Sequence, residues 1–430
     1  MIDGNLTDNI CNVEGGRSER VYERGYWGFA SAGGDCTEAT AKRLRDQACA
    51  NARAMSLFGS RATLVLSEAG HRGQHVFQGK PVLTQRDCVD RLASLHAWCR
   101  RRYPMLKATQ FLLMDEHHTK RVLTSTGGDA TNSIQRAALY ITLIDENDDG
   151  APVDLTERIS GKGSIADLEL SIDAIAPEID RLHEHLQNKR RPVPAVGGQH
   201  TVVMGPDLAG ILAHEAMGHP CEADLVLGGA VTADLVGQRV ASDLVTMVDF
   251  AHTYDGQETI VPVYADDEGT PARDAVLIER GILREFMNSR ETAARLGLDP
   301  TGSARAYLPD DEPLVRMRNT AILPGSSKLD DMIAGVDRGY LLLKTANGQA
   351  DSTTEFMFAI TLGYEIENGR LGRAIRDTTV SGSAIKVLQS VDAISDDMAW
   401  SAAGYCGKKQ PMVVSFGGPA IRARAHLGGS

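Results

Sequence analysis

Between residues 190 and 199 the chain reads RRPVPAVGGQ, with two prolines and two glycines in ten positions. Proline removes a backbone donor and fixes φ, and glycine gives no side chain to pack, so neither a helix nor a strand runs through such a stretch. A chain of 430 residues has length for two cores. The break therefore predicts two domains, 1–192 and 193–430.

The two sides of the break read differently. On the N-terminal side, Asp35-x-x-Glu38 and Thr84-x-x-Asp87 are capping boxes that predict helices to about Leu57 and Arg102. Ser164-x-x-Asp167 predicts a third, long amphipathic helix that Pro177 kinks or divides. Between them lie strand-like runs: ATLVLSE, TQFLLMDEHH, KRVLTST and AALYITLIDE, with a turn at NDDG, 147–150. On the C-terminal side, HTVVMGPD reads as a strand entering a short helix. Hairpins are expected at Arg280-Gly281 and at Asn368-Gly369. The fold class expected is α+β: an N-terminal antiparallel sheet with packed helices and a larger, strand-rich C-terminal domain.

Composition excludes several function classes. The formal net charge of −12 disfavours nucleic acid, which demands a basic surface. No run approaches the ~18 to 20 apolar residues that cross a bilayer, and the polar start MIDGNLTDNICNVEGG lacks the apolar core of a signal peptide. Seven scattered cysteines without a C-x-x-C pair suit free thiols in a reducing compartment, so a cytoplasmic location is expected.

The chemistry concentrates in LAGILAHEAMGHPCEADLV, 208–226, where His214, Glu215 and His219 are spaced H-E-x-x-x-H. Histidines four apart lie within about 40° of each other on a helix, but five apart they diverge by about 140°. To share one metal ion, the helix must stop or bulge between them. Gly218 and Pro220 flank His219, and both favour a stop, so the helix is expected to end at Gly218 with His219 just beyond. Neutral imidazoles are good zinc ligands, and a carboxylate beside them suits a general base. A catalytic zinc usually takes a third protein ligand; Cys221, Glu222, Asp224, His252 and Cys406 are the candidates. The other histidines are weaker. His183 and His185 point to different helix faces, His117 and His118 fall at an expected turn, and His96 lies at the edge of a core.

Four segments in order resemble the TldD/PmbA metallopeptidases, on their catalytic side: GYWGFAS (25–31), GILAHEAMGHPCEAD (210–224), RVASDLVTMVDF with YADDEGTPARDAVLIERGILREFMNS (239–289), and GYCGKKQPMVVSFGGPAIR (404–422). That resemblance implies a zinc ion held by His214, His219 and Cys406, with Glu215 as general base. It further implies peptide or unstructured-segment substrates, and a homodimer or a heterodimer with a homologous subunit. Two features depart from the family pattern. Only about 25 residues precede GYWGFAS, so a shortened N-terminal domain is expected, and HPCEAD replaces HGLEGD, which sets Cys221 beside the motif as a competing thiol. The function expected is a zinc peptidase. A zinc hydrolase of C–N bonds in a small metabolite and a non-catalytic partner subunit are the alternatives.

Overall fold

The hairpin chemistry of the N-terminal half sets its sheet. In the computed structural model, which describes residues 1–34, 37–59, 61–350 and 353–429, strands Ala108–Leu123 and Asp129–Glu146 pair antiparallel over the whole of the first, from Ala108 opposite Ile144 to Leu123 opposite Asp129. The turn falls at Thr124–Gly128, where Gly127 takes φ +88° and the Thr124 hydroxyl accepts from the Gly128 N–H. His117 and His118 thus sit mid-strand, opposite Gln135 and Ile134, and not at a turn. The reason is physical: two histidines offer no positive-φ backbone, whereas the glycines nearby do. NDDG does turn the chain, with the Asn147 side chain accepting from the Asp149 and Ala151 N–H groups, into strand Pro152–Lys162. Strand Arg72–His75 runs parallel to the start of Asp129–Glu146 and completes a four-stranded sheet.

Two helices pack on that sheet. Gln85–Arg102 opens with the expected Thr84/Asp87 capping box and buries Leu92, Leu95 and Cys99. The second is Ile172–Lys189, which buries Ile175, Ile179, Leu182 and Leu186. It starts seven residues later than expected. Ser164 and Asp167 do bond each other reciprocally, but they close a single turn that is not continued. Pro177 lies inside the helix without dividing it. The first helix runs Glu38–Met55, with Thr37 accepting from the Thr40 N–H; the expected Asp35 cap lies outside the described residues. ATLVLSE forms no strand. The adjacent hairpin Gly16–Glu23/Tyr26–Gly33 pairs only with itself, so the run has no ladder to join, and Val65 is exposed.

Beyond the Pro/Gly segment, strand Gly198–Met204 lies between Arg338–Ala350, parallel, and Ile421–Leu427, antiparallel. The seven-stranded sheet that contains them closes on itself, because Arg338–Ala350 also pairs with Glu355–Glu367. A six-stranded sheet lies beside it, in the order 282–283, 275–279, 247–250, 319–322, 415–418, 399–401. The hairpins fall where expected: Arg280 and Gly281 take φ 46° and 81°, and Asn368 and Gly369 take 50° and 74°. These are the positive values a type I′ turn demands. One apolar cluster joins Leu92, Leu139 and Ile179 to Val203, Leu341 and Leu362, so side chains from both sides of the Pro/Gly segment share a core.

The motif helix begins at Pro206 and is largely buried: Leu208, Ala209, Leu212, Ala213, Ala216 and Met217 are enclosed. It touches both the closed sheet and the strand Ser415–Gly418. Gly218 faces Met317 so closely that a Cβ there would lie 2.2 Å from its Sδ. Gly218→Ala is accordingly expected to overpack this site and to lower stability by about 1–3 kcal/mol. An unchanged urea midpoint would show that Met317 moves aside freely.

Candidate metal centre

The helix carrying His214 does not stop at Gly218. Residues Leu212–Gly218 widen into a π-helical turn, and His219 donates its backbone N–H to the His214 carbonyl, five residues back. An i→i+5 bond stacks residues five apart on one face, so the two imidazoles meet although Gly218 and His219 both keep helical dihedrals. This corrects the expected helix end. The segment is largely buried, so its backbone groups must stay hydrogen-bonded, and a wider turn achieves that where a stop would strand carbonyls. Pro220 instead opens a short 3-10 turn, His219–Cys221.

The rings of His214 and His219 are nearly perpendicular, with centroids 5.2 Å apart. Cys406, on the two-residue strand Tyr405–Cys406, brings its Sγ to 3.3 Å from His219 Nε2. One donor atom from each of His214, His219 and Cys406 lies within 4.8 Å of the others, the only such group among the described residues. Glu215 is part-exposed at 31%, with its carboxylate 3.6 Å from His219 Nε2 and 4.0 Å from His214 Nε2.

Electrostatics prepare these donors. Burial pushes the Cys406 thiol up, but the two imidazoles outweigh it and hold the group at about 4, so it is a thiolate at neutral pH. Burial disfavours charge on His219, yet the Glu222 carboxylate and Cys406 raise its pKa well above the ordinary value. Glu222 is fully buried, and Oε2 bonds His219 Nδ1 at 2.7 Å while Lys408 Nζ lies 3.0 Å away. Against the burial that would raise it, those two partners keep its carboxyl at about 2. Lys408 also bonds both oxygens of Asp224 and the Val315 carbonyl.

The set fits a zinc ion. A thiolate and two imidazoles are its preferred donors, and a carboxylate behind one imidazole fixes the ring's orientation. The His214 Nδ1 is buried without a hydrogen-bond partner. The proton held between His219 and Cys406 is one that a dication would replace.

The competing candidates fall elsewhere. Cys221 is buried among apolar side chains, and burial followed by the Glu222 charge raises its thiol to about 12. Glu222 and Asp224 are engaged by His219 and Lys408, and His252 stacks on Tyr264. His185 bonds the Tyr364 hydroxyl, and His96 bonds that of Thr109. Sequence reasoning weighed Glu222 as a ligand and missed it as the orienting carboxylate; its i+3 spacing from His219 is the signal that could have shown this.

Next to Cys406, the Tyr405 hydroxyl donates to Glu116 at 2.9 Å, and Tyr307, His118 and Arg136 bond the same carboxylate. Burial opposes its charge, but the His118 hydrogen bond and the Arg136 charge prevail and hold it at about 2, against an ordinary 4.5. A carboxylate depressed by folding adds stability above its unfolded pKa and loses it as pH falls toward the folded value. Glu116→Gln is therefore expected to cost about 2 kcal/mol at pH 7. The gap from wild type should narrow as pH falls from about 5 to 2. Thermal unfolding across that range tests it; a gap independent of pH refutes the assignment.

Comparison with known proteins places these residues in context. Residues 197–427 match the family model for the PmbA/TldA metallopeptidase C-terminal domain. A zinc metalloprotease TldD homolog from Saccharolobus solfataricus is 32% identical over 324 residues, 75% of this chain and 71% of the relative. A metalloprotease from Methanocaldococcus jannaschii is 30% identical over 99% of this chain and 93% of its own length. Among solved structures, TldE from Thermococcus kodakarensis superposes with a TM-score of 0.73 at 18% identity, over 95% of this chain and 89% of that one, which shows a shared fold.

Proposed function

The chain belongs to the PmbA/TldD metallopeptidase family, and from that premise we propose that it is a zinc-dependent peptidase using His214, His219 and Cys406 as ligands and Glu215 as general base. The observation that carries the reading is the convergence of three zinc-type donors beside one part-exposed carboxylate. The divide at 192/193 then separates an N-terminal α+β domain from the C-terminal domain that bears the metal.

Zinc bound there supplies Lewis acidity, polarising the scissile carbonyl and making a water acidic near neutral pH. Glu215 takes the proton of the attacking water and returns it to the departing amine nitrogen. Its part exposure gives it access to solvent and substrate together. Cys406, as thiolate, sets one negative charge against the metal's two, and Glu222 holds the His219 ring in place. Substrates are peptides or unstructured segments, received in extended form along a sheet edge such as Ala399–Ser401, next to the Phe416 strand. The protein works in the cytoplasm as a homodimer, or as a heterodimer with a homologous subunit; the fold likeness to TldE supports such a partner. No described helix is long and apolar enough to cross a membrane.

A small-metabolite C–N hydrolase would use the same chemistry, and a non-catalytic subunit would have no need of Glu215. One experiment separates all three. Zinc-loaded protein is incubated with mixed peptides and with amide metabolites, and products are read by mass spectrometry. Cleaved peptides support the proposal, metabolite turnover alone favours the second reading, zinc-loaded protein that turns over neither favours the third, and protein purified without chelator that holds no zinc overturns the first two.

A further inference from the structure

The segment that presents Cys406 has little backbone structure of its own. Between Ala402 and Pro411 its ladder is limited to the pairing of Tyr405 with Val413 and of Cys406 with Met412. Gly404 and Gly407 loosen it further, and Lys409 takes φ 59°. A cysteine on such a loop would meet the histidines only part of the time.

Side chains from elsewhere hold it. Arg136, fully buried on strand Asp129–Glu146, donates Nη1 to the carbonyls of Ala402 at 2.6 Å and Gly404 at 2.5 Å. On the same strand and four residues further on, on the same face, the Tyr140 hydroxyl donates to the Ala403 carbonyl. Ser160 Oγ, on Pro152–Lys162, accepts from the Ala402 N–H at 3.0 Å. From the other side, the fully buried Arg316 donates to the carbonyls of Cys406 at 2.7 Å, Lys408 at 3.0 Å and Gln410 at 2.9 Å. Two guanidinium forks, whose donor geometry is fixed and planar, thus take five carbonyls of one loop. Glu116 in turn fixes the Arg136 fork through Nε, and the Arg136 guanidinium stacks 4.4 Å from the Tyr405 ring centre.

We propose that Arg136 and Tyr140, from the N-terminal sheet, act with Arg316 as positioning residues that hold the Cys406 thiolate at the metal, so that metal affinity is set partly by residues more than 260 positions earlier in the chain. The inference rests on the zinc reading above. None of the three side chains is a ligand; each acts through the loop backbone. The cysteine contributes a full metal bond only when the loop is fixed, and loosening it converts that bond into an intermittent one.

The test uses the full chain with Zn2+ and Co2+ as probes. Arg136→Lys keeps a charge beside Glu116 but loses the fork; Tyr140→Phe removes one hydroxyl and no volume, which guards against a variant that fails to fold. The zinc dissociation constant, by competition with a chromophoric chelator, is expected to rise about 10–100-fold in Arg136→Lys and less in Tyr140→Phe, as for other groups that orient metal ligands. In the Co2+ form, the thiolate-to-cobalt charge-transfer band should weaken per bound ion, a signature that general destabilisation does not give. Folded variants with wild-type affinity and an unchanged band would overturn the proposal, as would weaker affinity with an unchanged band. A wild-type chain that binds neither ion would instead overturn the zinc reading itself.

Discussion

Glu215→Gln is expected to retain one zinc per chain and to hydrolyse peptides about 10²–10⁴-fold more slowly. The substitution keeps the volume and a hydrogen-bonding amide but removes the carboxylate proposed to accept the proton. Glu215 does not belong to the three-donor group, so zinc content should be unaffected. Its carboxylate is nevertheless within 4.0 Å of both imidazole Nε2 atoms, so it stands beside the donors that would hold the metal. Metal analysis and peptide turnover on the same preparation decide the matter. Turnover at the wild-type rate would remove Glu215 from the base role, and lost zinc would make it a structural partner of the ligands.

Cys406→Ser and Cys221→Ser form the second test, and they should behave oppositely. A serine hydroxyl stays protonated where Cys406 is a thiolate, so the first variant loses a charged ligand. Its zinc affinity should fall by more than the roughly 100-fold upper range for groups that merely orient ligands. Cys221 is a buried thiol raised to about 12 among apolar side chains. Serine there should keep zinc and cost about 1–3 kcal/mol of stability, because a hydroxyl is buried without a partner. The reverse pattern would make Cys221 the third ligand and the Cys406 geometry incidental.

What the sequence made legible was local. The Thr84/Asp87 box, the NDDG turn and the Asn368-Gly369 hairpin each carry their geometry within four residues, and each lies where it was expected. Ser164 and Asp167 show the limit: the two bond each other, but they close one turn and the helix begins only at Ile172. At the centre, Gly218 and Pro220 are as compatible with a helix stop as with a wide turn. The difference is decided by burial of Ala216 and Met217 and by the nearness of Met317, none of which is local. Cys406 is 187 residues from His219, and no spacing rule reaches that far; only resemblance singled it out. Arg136 and Tyr140 gave no signal at all, because a buried arginine that serves backbone carbonyls reads in sequence as an ordinary strand residue.

The π-turn also fixes the phase of everything after it. One added residue in a helix rotates all downstream positions by about 100°, and here that rotation is absorbed between His214 and His219. Glu222, three positions beyond His219, bonds the far nitrogen of the same ring, and Asp224 bonds Lys408. Removing a residue such as Ala216 would restore the familiar four-residue histidine spacing and a regular helix. It would leave the His219–Glu222 pair intact, because both residues lie beyond the turn. The longer motif therefore brings its two histidines to one face by widening a turn, and the orienting acid travels with the second ligand and not with the first.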